Sequence, residues 1–286
     1  MKRFGFIGLG NMGGAIARGM ASGGAFALHG FDPSEGMCRK NADIMTIHAT
    51  VHELVDNSDY VLLAVKPQVM RPVLTGLASA LGPETCLVSI AAGVTLDQLV
   101  EWSGKKCPVV RVMPNTPAMV GKGVYALCFD HALLDEGRRQ TLLDVFSSIG
   151  QAHVLPEKLF DAYTGLIGSG PAYVYAFMEG LIDAGVTLGL TRAQATSMVA
   201  GLVSGSALMA EAEGAHPTLL KEMVTSPGGT TIAGLNALDE HRFKFALGQA
   251  VLAAARRSKE LADKGGREPP FLCRIHSVAH ASSPSP

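Results

Sequence analysis

The apolar positions of this chain keep one rhythm up to about residue 156 and another beyond it. In the first part, short apolar runs recur at residues 4–7, 26–31, 44–47, 59–65, 86–90, 109–113, 124–129 and 152–155. Each has the length of a buried strand. Helical stretches separate them, from Val51, over 69–81, from Leu96 and over 133–148. Strands alternating with helices at this spacing predict a doubly wound α/β sheet, mostly parallel. From Glu157 onward helical periodicity dominates, with no convincing strand after Leu155. Gly168-Ser169-Gly170-Pro171 breaks the pattern, and Pro171 suits the first position of a helix reaching about Leu188. Thr191 and Gln194 have capping-box spacing for a helix reaching Glu213. Further helices are predicted from Thr230 or Thr231 and from His241 to about Lys264. The resulting division is an α/β region at 1–156, a helical region at 157–264, and a Ser-, Pro- and His-rich tail at 265–286 expected to be disordered.

The first apolar run ends in Gly8-Leu9-Gly10-Asn11-Met12-Gly13, and a helix of small residues follows at once. That strand–turn–helix setting is what a dinucleotide fingerprint requires. Gly8 permits the tight turn, Gly10 lets backbone approach a pyrophosphate, and Gly13 lets helix pack on strand. The free N–H groups at the helix start then face the phosphates. Asp32 closes the second strand, where an acid accepts hydrogen bonds from the adenosine ribose and repels a 2′-phosphate. Ser34, Arg39 and Lys40 follow and favour the opposite, so NADPH and NADH both stand.

The fourth run ends Ala64-Val65-Lys66-Pro67. Pro67 cannot continue a ladder and turns the chain over the carboxyl edge, where ligands bind in such sheets. Lys66 is a candidate for the cofactor ribose or a substrate carboxylate, against a solvated lysine. Ala91-Ala92-Gly93 either admits a flat ring to the backbone or simply lets a turn pack. In the helical part, Ser226-Pro227-Gly228-Gly229-Thr230-Thr231 places two glycines before a helix start. Free N–H donors and the helix dipole there favour a carboxylate, and the hydroxyls of Thr230 and Thr231 add orientable groups. A capping threonine explains one Thr but not the two glycines.

Composition narrows the class. With 286 residues, 48% hydrophobic content and a net charge of −1, the chain builds a real core and lacks the basic excess of a nucleic-acid or anionic-membrane binder. No apolar run reaches the roughly 18 residues of a membrane span. Asn11, Arg18 and the fingerprint glycines argue against a signal peptide. Much of the apolarity is Ala, Gly, Val and Met, which suits close-packed helices and burial against a second copy. The 5 cysteines, Cys38, Cys86, Cys107, Cys128 and Cys273, are scattered and odd in number, as reduced thiols of a cytoplasmic protein are. His48 and His52 sit at metal-ligand spacing but lack a third ligand nearby, and read as a solvated pair.

Together these motifs resemble the Δ1-pyrroline-5-carboxylate reductase family. The resemblance is carried by the 8–13 fingerprint, Ala64–Pro67, Ala91–Gly93, Asn115-Thr116-Pro117, the stretch from Thr164 to Tyr173, and the 226–231 bend, in family order over about residues 3–263. It implies a Rossmann domain, an all-helical C-terminal domain interlocked with its mate in a homodimer, dimers that can associate further, and an active site between the domains. Cofactor contacts carry over to Gly8 through Gly13, Ala64 through Pro67, and Ala91 through Gly93. The substrate carboxylate carries over to the backbone of Thr230 and Thr231, on the bend that includes Ser226, Gly228 and Gly229. The ring nitrogen carries over to the Thr231 hydroxyl. Val51 departs from the asparagine of many relatives, and the tail after Lys264 matches nothing in the family.

The implied reaction is NADPH- or NADH-dependent reduction of a cyclic imine to L-proline. A protonated imine needs chiefly correct placement against the nicotinamide. Thr231 is the candidate that orients the nitrogen and relays its proton. Two rivals are weighed. A β-hydroxyacid dehydrogenase shares the glycine pattern at Gly165, Gly168 and Gly170, but its lysine position is Val174 here. A non-catalytic dinucleotide sensor would need no carboxylate bend.

Overall fold

The structure, a computed structural model, describes residues 1–214 and 216–263. The expected tail, Cys273 and Lys264 lie outside the described residues. Eight strands form one sheet: β1 (Lys2–Ile7), β2 (Phe26–Phe31), β3 (Thr46–Ile47), β4 (Tyr60–Leu63), β5 (Cys86–Ser89), β6 (Val109–Met113), β7 (Gly123–Cys128) and β8 (Gly150–Val154). Their order is β3-β2-β1-β4-β5-β6-β7-β8. All neighbours are parallel except β6 and β7. The central strands read as unbroken apolar runs because both faces are covered.

Helices α1 (Asn11–Gly23) and α6 (Glu136–Ser148) cover one face, burying Ile16, Ala17, Met20, Leu142, Val145 and Phe146 against Phe4 and Phe6. Helix α2 (Glu35–Asn41) adds Met37 at that face. Helices α3 (Val51–Asp56), α4 (Pro67–Leu77) and α5 (Leu96–Trp102) cover the other, burying Leu54, Met70, Leu74 and Leu99. Rings stack through the first layer, with Phe4 and Tyr60 5.5 Å apart between centroids.

Several boundaries move for local reasons. Pro67 takes the first turn of α4, where its missing N–H costs nothing, so the helix begins two residues before the expected 69. The Asp135 carboxylate accepts the Arg138 N–H at 2.8 Å, so α6 starts at Glu136 rather than 133. The expected strand 44–47 shrinks to two residues, because the Ile44 N–H is spent on the Asn41 carbonyl at the end of α2. His48 and His52 are not a solvated pair. His48 is half-buried, and its Nε2 lies 2.9 Å from Nδ1 of His29 on β2.

After β8 every described regular element is helical: α7 (Phe160–Tyr163), a π turn at Thr164–Gly168, α8 (Gly170–Thr187), α9 (Arg192–Glu213), α10 (Pro217–Met223), α11 (Thr230–Glu240) and α12 (Phe243–Asp263). The expected break at 168–171 is this widened turn, and Pro171 is the second residue of α8 rather than its first. The Thr191 cap forms as expected, its hydroxyl accepting the Gln194 N–H at 3.3 Å while Gln194 Oε1 accepts the Thr191 N–H at 3.0 Å.

Helix α12 is held to the first helical turns, and those turns are held to the sheet. Gly165 lies so close to α12 that a Cβ there would meet the Val251 carbonyl oxygen at 2.7 Å. Ser258, buried on α12, donates to the Asp161 carboxylate at 2.7 Å. Arg111 on β6 is buried, meets Glu157 Oε1 at 2.8 Å, and lies 4.8 Å from the Phe160 ring centroid. The same Glu157 oxygen accepts the Leu96 N–H at 2.6 Å. Helices α8 and α11 bury no residue at all, and Tyr175, Met198, Leu202 and Phe245 are each more than half exposed. Among the described residues no helix is long and apolar enough to cross a membrane.

Two outcomes are expected. Glu157→Ala leaves the Arg111 guanidinium buried without its carboxylate and should cost about 3 kcal/mol in urea unfolding, whereas Glu157→Gln, which keeps an acceptor, should cost less. Burial also holds His29 and His131 below the ordinary histidine value of 6.5. As the pH falls through that value, the unfolded chain takes up protons that the folded chain refuses. The denaturant midpoint should therefore decline with falling pH, and decline less in His131→Asn, which keeps an acceptor for the Val109 N–H.

Candidate active site

Strand order reverses between β1 and β4, and the loops leaving their carboxyl ends flank one crevice. The Ala64 N–H donates to the Ile7 carbonyl at 2.8 Å, which places the 64–67 loop beside the glycine turn. Gly8 has φ +99°, and a Cβ on it would lie 2.6 Å from the Ala64 carbonyl oxygen. A Cβ on Gly13 would overlap the Gly8 carbonyl oxygen and lie 2.9 Å from the Ala64 Cβ. Gly8, Gly13 and Ala64 thus form one close-packed knot. Gly10 is different: a Cβ there meets nothing within 4 Å. It caps α1 with no side chain closing the first turn. A backbone cradle open at this point fits a dinucleotide pyrophosphate.

The turn is fastened from two sides. The Asp32 carboxylate accepts the Leu9 N–H at 2.7 Å and the Ser34 N–H at 2.8 Å. Asn41, buried on α2, lies with Nδ2 3.4 Å from the Leu9 carbonyl. Asn41 escaped the reading of the sequence, because an asparagine at a helix end carries no motif. The Leu9 side chain is buried, and Met12 and Val65 pack on the core, so these residues offer backbone to the edge. Asn11 is exposed and lines a shallow groove with Gly10, Arg18 and Lys40. Ser34 is exposed at the start of α2 and its hydroxyl caps nothing. Lys66 is exposed as the residue before Pro67 in the 64–67 loop.

In Ala91-Ala92-Gly93, Ala91 is buried and Ala92 exposed. Gly93 has φ +70°, and a Cβ there would meet the Leu261 side chain of α12 at 3.2 Å. At this position the small residue admits a helix, the packing alternative of the two open in the sequence. Every cofactor candidate therefore lies at or just beyond a carboxyl end of β1, β2, β4 or β5. Parallel pairing alone brings these four stretches together.

The 226–231 bend is built separately. The Gly229 N–H closes a turn on the Ser226 carbonyl at 3.1 Å, and Gly228 has φ +67°. Gly229 caps α11, so neither Thr230 nor Thr231 serves as an N-cap and both stand in the helix's first turn. Ser226 and Thr230 are exposed and Thr231 is half-buried. Within one chain α11 packs on α12, and the bend does not line the groove beside Gly10. One chain thus supplies two helix beginnings, at Gly10 and at Gly229.

A second feature lies between the sheet and the helices. An apolar cleft of about 750 Å³ is lined by Asn115, Pro117, Tyr173, Val174, Met178 and Val251, among others. Asn115 is buried, accepts the Val124 N–H at 2.9 Å and reaches the Ile167 carbonyl at 3.4 Å. It ties the β6–β7 connection to the π turn. Val174 occupies the hydroxyacid-dehydrogenase lysine position and is an apolar wall of this cleft.

Fold and carboxyl edge define the class: an NAD(P)-dependent Rossmann oxidoreductase with an all-helical C-terminal region. Residues 3–93 match the family model described as NADP oxidoreductase coenzyme F420-dependent, and residues 157–261 match pyrroline-5-carboxylate reductase dimerisation. Pyrroline-5-carboxylate reductase of Arabidopsis thaliana is 41% identical over 91% of this chain and 95% of the plant protein. That of Escherichia coli K12 is 40% identical over 91% of this chain and 98% of its own length. The crystal structure of Plasmodium falciparum pyrroline carboxylate reductase with NADP bound superposes with TM-score 0.82 at 35% identity, covering 91% of this chain and 98% of that one. The chain belongs to the pyrroline-5-carboxylate reductase family.

The knot and the open cradle predict opposite outcomes for one substitution. Gly13→Ala should lower the thermal midpoint by several degrees, because a methyl group there strikes backbone. Gly10→Ala should leave the midpoint unchanged. Differential scanning calorimetry compares them.

Proposed function

We propose that this chain reduces 1-pyrroline-5-carboxylate to L-proline with NADPH or NADH, as a homodimer whose second copy completes the site. Residues 1–156 hold the dinucleotide, and residues 157–264 bind substrate and the second copy. The observation that carries the substrate side is the start of α11, with a glycine cap, no side chain closing it, and two threonines in its first turn. Backbone N–H groups there suit a small carboxylate. The exposed apolar faces of α8 and α9 support the second copy. Unpaired thiols at Cys38, Cys86, Cys107 and Cys128 agree with a cytoplasmic enzyme.

The residues divide the work. Gly8 through Gly13 and Asp32 hold the nucleotide end, and the 64–67 and 91–93 loops flank its path. When bound, the nicotinamide supplies a hydride to the imine carbon. The C=N π electrons settle on the nitrogen, which already carries the proton of the iminium substrate. The Thr230 and Thr231 backbone N–H groups fix the carboxylate. The Thr231 hydroxyl accepts the N–H of the iminium and thereby sets the face of the ring presented. Most of the rate gain on this reading is orientation.

Oxidation of NADPH or NADH in the presence of pyrroline-5-carboxylate, followed at the nicotinamide absorbance band, tests the activity, with 3-hydroxyisobutyrate and NAD(P)⁺ as the inactive comparison. Thr231→Ala should lower kcat/KM about tenfold or more. Full retention of kcat and KM removes Thr231 from the mechanism. Gly10→Ala should weaken cofactor binding in the same assay.

A further inference from the structure

We propose that Asp32 makes this enzyme prefer NADH to NADPH. The inference rests on the reading of the carboxyl edge as the nucleotide site and adds which nucleotide it takes. Cofactor fit is supported by the open backbone at Gly10 and the side-chain-free turn at Gly8.

Asp32 ends β2 beside the glycine turn and is half-buried. Its two carboxylate oxygens each accept one backbone N–H, Leu9 at 2.7 Å and Ser34 at 2.8 Å. These bonds join the glycine turn to the start of α2, so the carboxylate is a fixed charge and not a swinging side chain. Each oxygen keeps a lone pair for a further donor. Ribose hydroxyls are such donors. A 2′-phosphate has acceptor oxygens and a charge of about −2 at neutral pH, and it meets the carboxylate as a like charge. Moving Asp32 aside would strip both N–H groups of a charged acceptor and loosen the turn itself.

Among the described residues no hydrogen bond or ion pair joins Asp32 to a cation. Pro33 follows directly, without charge or N–H. Glu35 adds a second carboxylate and holds Arg39 at 3.2 Å. Arg18 is engaged with Asp43 at 3.0 Å and with the Lys40 carbonyl. Lys40 lines the groove beside Gly10, near the opposite end of α2 from Ser34. The Ser34 hydroxyl is a single neutral donor against two fixed or exposed carboxylates.

Titration of the full-length protein with NADH and NADPH, read by nicotinamide fluorescence and by thermal shift, tests the inference without turnover. NADH should bind about tenfold more tightly or better, and the ratio of kcat/KM values with pyrroline-5-carboxylate should follow. Asp32→Ser frees the Leu9 and Ser34 N–H groups for phosphate oxygens and should shrink the NADH preference at least tenfold. Asp32→Asn removes the charge at nearly constant shape and should move the ratio the same way. Equal or tighter binding of NADPH by the unaltered enzyme overturns the inference, as does an unmoved ratio in both folded variants. Turnover of pyrroline-5-carboxylate that favours NADPH sinks this inference alone. Absence of turnover with either nucleotide sinks the functional reading beneath it.

Discussion

The approach of two backbones at the centre of the sheet sets the rest of the molecule. Where β1 gives way to α1, Gly8, Gly13 and Ala64 stand closer than side chains allow. That contact lets α1 begin directly over the end of β1, with its first N–H groups turned outward. It also fixes the 64–67 loop as the opposite wall of the crevice. Asp32 and Asn41 then hold Leu9 from either side. Packing gives the crevice its shape, and hydrogen bonds from the neighbouring strand and helix hold it in register. The glycine turn is therefore organised by the chain's own contacts, and such preorganisation lowers the cost of binding.

The helical half obeys another logic. Its attachment to the sheet includes Arg111 with Glu157 and Phe160, Asn115 with Ile167, and Gly93, which admits α12, while Ser258 with Asp161 and Gly165 with Val251 bind α12 to the first helical turns. Helices α8, α9 and α11 reach beyond that attachment with apolar faces uncovered. In water such faces are stable only when covered, and the match to a dimerisation model over 157–261 names the same segment from independent information. The apolar cleft between the Asn115 loop and α8 belongs to this boundary.

Much of this was legible in the residues. The central strands announced themselves because buried parallel strands must be apolar on both faces, and the glycine turn because its spacing has one geometric solution. What failed to show was short or relational. Helix α2 buries only Asn41 and helix α10 buries nothing, so neither carries an apolar stripe to read. The partner of His48 is His29, on a neighbouring strand, and no spacing rule joins them. Gly93 serves Leu261, a residue 168 positions later, and pattern cannot anticipate such a contact. Asp32 was visible as an acid in the right place, but its two backbone bonds needed coordinates. The 226–231 bend was plain as a helix start, with Gly229 as its cap.

The seating of α12 has a consequence for how the protein is made. A ribosome emits the sheet first, and the pocket around Gly93 and the groove along Gly165 stay vacant until residues near 251–261 leave the exit tunnel. Until then the space beside Gly93, just past β5, lacks the Leu261 side chain that fills it. Assembly is thus ordered by synthesis itself: α12, the last of the described helices to emerge, seats against a sheet made long before it.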